Sequence, residues 1–323
     1  MPRDTASSRG LRRAAWLDDL PPAAGAAVMA TAVLSVGLHL LGVEWLSLAL
    51  LAVALLVWLV LATVFARHLL TERDRWRQET DTAPALTAIA ATAVLGTRLA
   101  LLGELSLSVV LLCVCVLLWP LLMSHVVRHW QRRLPGAAYL VCVATQSLVV
   151  LAATVADSGR RAWLMWPALG FFVIGLFLYA VVLRRFDFRQ LAVGRGDHWI
   201  IAGAMAISAL AGSKLVAASA PHGPLHWATP AHDALRLVTF ITLGLAAAWY
   251  AILTVCELRH PRLHYDVRRW ATVFPLAMTA VATLSTSTAA SVSWLWPCGK
   301  TLLWPALAVW ALVGVGAVRA PRP

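Results

Sequence analysis

Residues Ala30–Gly42 read ATAVLSVGLHLLG, and residues Ala91–Gly103 read ATAVLGTRLALLG. Nine of the thirteen positions match, at an offset of 61 residues. Both segments are apolar and rich in small side chains. Both end on glycine at the same helix end. A bulkier run, LSLALLAVALLVWLVL, follows the first segment from Leu46. The offset is about one helical hairpin, so the chain reads as a repeat of helix, glycine turn and helix.

Outward from this pair, apolar runs of about twenty residues recur along the chain, each long enough to cross a bilayer core of about 30 Å. The spans run near 22–41, 45–66, 83–102, 105–124, 136–156, 162–183, 198–218, 232–255, 270–289 and 295–317. Of the 323 residues 60% are hydrophobic and only 13% charged, against about 25% charged in a soluble domain. Mean hydropathy is +0.76. The expected fold is all-α and polytopic, a ten-helix membrane domain over 21–318 with short polar tails at 1–20 and 319–323. Residues 1–20 carry no convincing cleavable signal, so the first span is expected to be retained. Alternating short strands, as a membrane β-barrel requires, are absent from the pattern.

The spans alternate in texture. Odd spans are small, as in LAMTAVATLSTSTAA of span nine; even spans are bulky, as in GFFVIGLFLYAVVL of span six. Small residues allow close helix approach and bulky ones suit lipid, so five hairpins with odd helices inside are expected. Loop charge alternates too. Twenty-one Arg fall on the side of both termini and two, Arg160 and Arg161, on the other. By the positive-inside rule both termini are cytoplasmic and the chain is multi-pass in the plasma or inner membrane. The net charge of +12 then reflects topology, and nucleic acid is not an expected partner.

Only four charged residues lie inside a span, and all are cations: Arg98, Lys214, Arg236 and Lys300. All four lie roughly 6–9 Å below the external surface at 1.5 Å rise per residue. Two readings stand for each: snorkelling to the interface, or facing an anion-attracting external vestibule. Asp233 could pair with Arg236 and Glu104 with Arg98, whereas Lys214 and Lys300 have no local carboxylate. No Asp or Glu occupies a span interior, which argues against proton-coupled carriers and against the acidic rings of cation channels. Ser and Thr on odd spans lack a His or Asp partner at depth, so an enzyme is not expected. Thr31, Ser35, Thr92, Thr145, Ser208, Thr279 and Thr283 are candidates for packing or for lining a polar path.

Cys113, Cys115, Cys142, Cys256 and Cys298 show no metal or redox spacing and read as small buried hydrophobes. His222, His226 and His232 in the loop after span seven lack fixed ligand geometry, and His125 and His129 read as interfacial. No metal or cofactor is expected.

Span nine contains WATVFPLAMTAVAT, Trp270–Thr283. Pro275 removes a backbone hydrogen bond and bends the helix. Phe274 is a bulky ring at that bend on a small-residue helix, placed either to fill the core or to plug a path. The segment resembles the ninth helix of the tellurite-resistance/dicarboxylate transporter family, which includes plant slow-type anion channels, yeast malate permeases and sulfite efflux pumps. LPPAAGAAVMATAVLS, Leu20–Ser35, is similar to the family's first span, and HWIIAGAMAISALAG from His198 to its seventh. The resemblance covers the whole chain. It implies five hairpins around a central pore, Phe274 as gate, a homotrimer, and small anions as cargo: chloride, nitrate, oxyanions or dicarboxylates. Ala32 and Ala277 stand where the family commonly has Gly, and their methyls would narrow the path or stiffen the bend. The expected activity is an anion channel or facilitator; the rival is a secondary carrier for dicarboxylate, sulfite or tellurite-like oxyanions.

Overall fold

A computed structural model describes residues 22–157, 161–193, 196–220, 223, 225, 230–261 and 265–320. The expected tail at 1–20, Arg160, His222 and His226 lie outside them. Ten long helices make up the described chain. They are α1 (Gly25–Leu40), α2 (Glu44–Thr71), α3 (Thr87–Leu101), α4 (Leu105–Arg128), α5 (Leu140–Asp157), α6 (Met165–Arg185), α7 (Ile200–Ala218), α8 (His232–Arg259), α9 (Trp270–Ala289) and α10 (Leu295–Arg319). The outer helices α2 and α8 run to 28 residues each, past the expected ends at 66 and 255. A short helix, Arg73–Thr80, follows α2.

The odd helices form a closed ring, in the order α1–α3–α5–α7–α9 and back to α1. Each even helix packs on the odd helix before it and leans on the odd helix after it, with α10 closing onto α1. Four inner spans are 72–100% buried and the five outer ones 11–28%, so small residues are inside and bulky ones face lipid. Among the described residues nine helices are long and apolar enough to cross a membrane unaided. The tenth, α9, is rich in Thr and Ser. It is nearly all buried, so its neighbours rather than lipid solvate it.

The repeat is visible in the turns. After α1, Gly42 has φ +77°, its N–H donates to His39 O, and Val43 N–H donates to Leu38 O. After α3, Gly103 has φ +90° and the same two bonds run to Ala100 and Leu99. After α9 the same ladder recurs with Ser291 at φ +54° in the glycine position. Ser47 Oγ donates to Ser35 O at 2.7 Å and Ser108 Oγ to Gly96 O at 2.9 Å, again 61 residues apart, so a serine in the first turn of the outer helix latches each hairpin.

Two of the cysteines depart from the expected burial. Cys113 and Cys298 are exposed on outer helices, where the solvent is lipid and a thiol needs no protein cover.

Candidate functional site: the axis of the five-helix ring

The inner helices are parallel, and their N-termini meet at the arginine-rich face. There they surround an open mouth of about 430 Å3, lined by residues that include Ala26, Thr87, Leu140, Ile200 and Ala271, one from each inner helix. Seven residues further along each helix stand Val33, Val94, Ser147, Ile207 and Met278, and three further on Val36, Thr97, Val150, Leu210 and Val281. These ten line a small cavity of about 20 Å3, room for about one water molecule. Every inner helix therefore contributes the same i, i+7, i+10 positions, the stripe that 3.6 residues per turn keeps on one face. The register is five-fold although the sequence repeat is obvious in only two hairpins.

Between mouth and cavity the same register holds one more layer, four residues before the cavity: Met29, Ala90, Val143, Gly203 and Phe274. Phe274 is 1% exposed and Met29 1%. A Cβ built on Gly203 would lie 2.7 Å from Phe274 Cε1 and 3.0 Å from Pro275 Cγ. The largest side chain of the layer thus lies against its only glycine, and in register the layer falls between the residues that line the mouth and those that line the cavity. Ala32 and Ala277, three residues on from Met29 and Phe274, are both buried.

Four residues beyond the cavity the stripe reaches Leu40, Leu101, Thr154, Lys214 and Ser285. Across the five layers Lys214 is the sole charged residue. It is half-buried, with Asp157 at the end of α5 acting on it electrostatically. Ser285 bonds Ser213 at 2.8 Å.

The other three cations lie off the stripe. Arg98 has no exposed surface. It donates from Nε and Nη2 to Ser47 Oγ at 3.1 and 2.9 Å and from Nη2 to the Glu44 carboxylate. Glu44 also bonds His39 Nδ1 at 2.7 Å. Glu44, in the first turn of α2, therefore takes the place expected for Glu104, because the hairpin packing brings α2 over α3. Arg236 is exposed, its Nη2 donates to Ala290 O at 3.3 Å, and its guanidinium lies 5.8 Å from the Phe240 ring centre. Among the described residues it forms no ion pair with Asp233; its hydrogen-bond partner is instead the carbonyl just past the end of α9. Lys300 is exposed on the outer helix α10.

The seven candidate hydroxyls point elsewhere than the cavity. Thr92, Thr145 and Thr31 accept from the indole N–H groups of Trp58, Trp119 and Trp310 at 2.8, 3.0 and 2.8 Å. All three stand two residues before a cavity residue, about 200° around the helix, and so face the outer helix of the preceding hairpin. Ser35 bonds Ser47 O at 2.7 Å, and Ser208 bonds Ala204 O at 2.7 Å and lies 3.8 Å from Cys142 Sγ. Thr279 and Thr283 donate to Pro275 O and Thr279 O at 2.8 and 2.7 Å. The cavity hydroxyls are Thr97 and Ser147, and both donate back to their own helices, at Ala93 O and Ala144 O. Sequence reading missed them, along with Met29. The signal was the alignment of all five inner helices on one register.

At the mouth, His125 and His129 contact Asp81 at 3.0 and 3.4 Å. His232 pairs with Ser219 at 2.9 Å. Among the described residues no group of three or more His, Cys, Asp or Glu could hold a metal.

A ring of five inner helices around a mainly apolar axis, jacketed by five lipid-facing helices, defines a multi-pass membrane channel or transporter. A family model described as "SLAC1: Voltage-dependent anion channel" matches residues 19–318, and the chain belongs to that family, the one its span-one, span-seven and span-nine motifs resemble. Its general function is anion transport across a bilayer. No curated protein matches the chain.

Proposed function

We propose that the chain is an anion-selective channel or facilitator, closed in this structure, whose path is the five-helix axis and whose gate is the Phe274 layer. The observation that carries this reading is the axial stripe: five helices supply equivalent residues to one line, and Phe274 stands in the layer that register puts between the mouth-lining and cavity-lining residues. A cavity of about 20 Å3 lined mainly by Val, Leu, Ile and Met excludes a hydrated ion, as a hydrophobic constriction gates by dewetting. The Phe274 and Met29 layer and the narrow apolar cavity beyond it act in series. Pro275 weakens the helix beside the ring and supplies the bend that moves it.

Anion preference follows from charge placement. Five helix N-termini, each equivalent to about half a positive charge, ring the mouth, where Asp81, Asp197 and Arg268 also line the opening, and no carboxylate stands on the stripe. With the arginine-rich face cytoplasmic, anions enter from the cytoplasm. At the far end Lys214 offsets the five converging helix C-termini, whose partial negative charge would repel a leaving anion. A carrier for dicarboxylates would need a charged or polar site near the midplane, and the stripe there is uncharged.

The test is electrical recording or liposome flux of purified protein, wild type beside Phe274→Ala. A gain in anion current of an order of magnitude or more is the expected result. No current in either protein, with coupled uptake instead, would sink the channel reading.

A further inference from the structure

Away from the axis, five arginines cluster on the arginine-rich face. Arg132 and Arg133 follow α4, Arg184 and Arg185 end α6, and Arg189 follows four residues later. They line one recess of about 1010 Å3 with Gln131, Phe186, Asp187 and Phe188. Two loops are fastened to make it. Leu134 N–H donates to Arg185 O at 2.8 Å and Asp187 N–H to Leu134 O at 3.1 Å, the single isolated bridge among the described residues. Gly136 N–H donates to Gln190 Oε1 at 2.9 Å. Phe186 stacks edge-on with Tyr139 at 5.6 Å and with Phe188 at 5.1 Å. The positive-inside rule accounts for arginines on this face, but not for two loops stapled together to collect five of them.

The cluster is not neutralised from within. Elsewhere on the same face Arg67 pairs with Glu72, Arg268 with Asp266 and Arg269 with Glu257. Among the described residues none of the five has a carboxylate partner. The one acid in the recess, Asp187, accepts the backbone N–H of Arg189 at 3.2 Å. Arg185 lies over the Trp130 ring at 5.9 Å. Like charges held together without a counter-charge favour an anion from outside.

We infer that this recess binds the phosphate group of an anionic membrane phospholipid. The position commits it to lipid. Arg184 and Arg185 sit in the last turn of a membrane-crossing helix, at headgroup level. Phe188 (53% exposed) and Val193 (76%) project beside them, apolar groups that suit the acyl boundary better than water. Basic recesses at the ends of transmembrane helices suit phosphorylated headgroups, and arginine forks suit phosphate oxygens. Gln131 lines both this recess and the axial mouth, so bound lipid would brace the loop that leads into α5.

The experiment uses full-length protein in detergent, titrated with short-chain phosphatidylglycerol or phosphatidylcholine of the same chain length, and reads the thermal midpoint and native mass spectra. Wild type is expected to bind phosphatidylglycerol more tightly. The Arg133→Gln/Arg185→Gln/Arg189→Gln variant is expected to lose about fivefold in affinity per arginine, and the matching Arg→Lys variant to lose less. Arg67→Gln/Arg259→Gln, on the same face outside the recess, is expected to keep the preference. Equal loss in that control, or an undiminished preference in the triple variant with an unchanged lipid-free midpoint, overturns the site. Displacement of the lipid by pyrophosphate at equal concentration overturns the lipid assignment in favour of a soluble phosphate. None of these readouts depends on anion flux.

Discussion

At the arginine-rich face the five inner helices present their N-termini around an open mouth of about 430 Å3; at the opposite face the same five helices end in carbonyls and the stripe closes on Leu40, Leu101, Thr154, Lys214 and Ser285. The N-terminal ends need no cation to attract an anion, because the backbone supplies the positive potential. The C-terminal ends do need cations, and that is where they stand: Arg98 in the last turn of α3, Arg236 donating to a carbonyl just past the end of α9, and Lys214 near the end of α7. Lys300, outward on α10, belongs to the lipid-facing side. The shallow cationic layer is therefore first an answer to helix polarity, and only Lys214 combines that role with a place on the proposed path.

Removing Arg98 attacks the C-terminal end most severely. Arg98→Ala removes a fully buried side chain together with its bonds to Ser47 and the half-exposed Glu44 carboxylate, and is expected to give the largest drop of this series in the denaturation midpoint in detergent. Phe274→Ala together with Met29→Ala should raise anion flux above either single change, because the two stand in one layer; flux equal to that of Phe274→Ala alone would remove Met29 from the barrier. Lys214→Gln is expected to lower flux severalfold at low salt, because it removes the one charge on the stripe, about 6 Å of helix rise beyond the cavity. The effect should fade at high ionic strength, and a salt-independent loss would mark a packing role instead. Thr92→Val is expected to cost about 1 kcal/mol, with Trp58→Phe adding little in the double variant, since both remove one bond. Ser291→Gly is expected to stabilise the fold by about 1 kcal/mol by relieving the left-handed backbone at φ +54°. The equivalent turns already carry Gly42 and Gly103.

The contrast between inner and outer helices explains what was legible beforehand. Texture separated the two classes because one meets lipid and the other meets protein. The direction of a side chain on an inner helix was not legible, because α5 is buried on every side over its spanning window and hydropathy there has no asymmetry to read. Thr31, Thr92 and Thr145 looked like path-lining hydroxyls for that reason. Their partners were in view, since Trp58 and Trp119 stand 61 residues apart, as Thr31 and Thr92 do. Glu44 rather than Glu104 meets Arg98 for a related reason: a partner contributed by a neighbouring hairpin lies far off in sequence, and only packing brings it close.

The amino-acid sequence by itself determined the membrane as solvent, the ten helices, the hairpin repeat and the inner–outer alternation, all consequences of local composition and of what each segment must dissolve in. The tertiary structure decided which stripe of each inner helix faces the axis, that Phe274 lies against Gly203, that Lys214 alone of four cations stands on that stripe, and that five arginines share one recess. Those are matters of rotation and register between helices, set by side chains meeting across hairpins, and no single helix carries that information in its own residues.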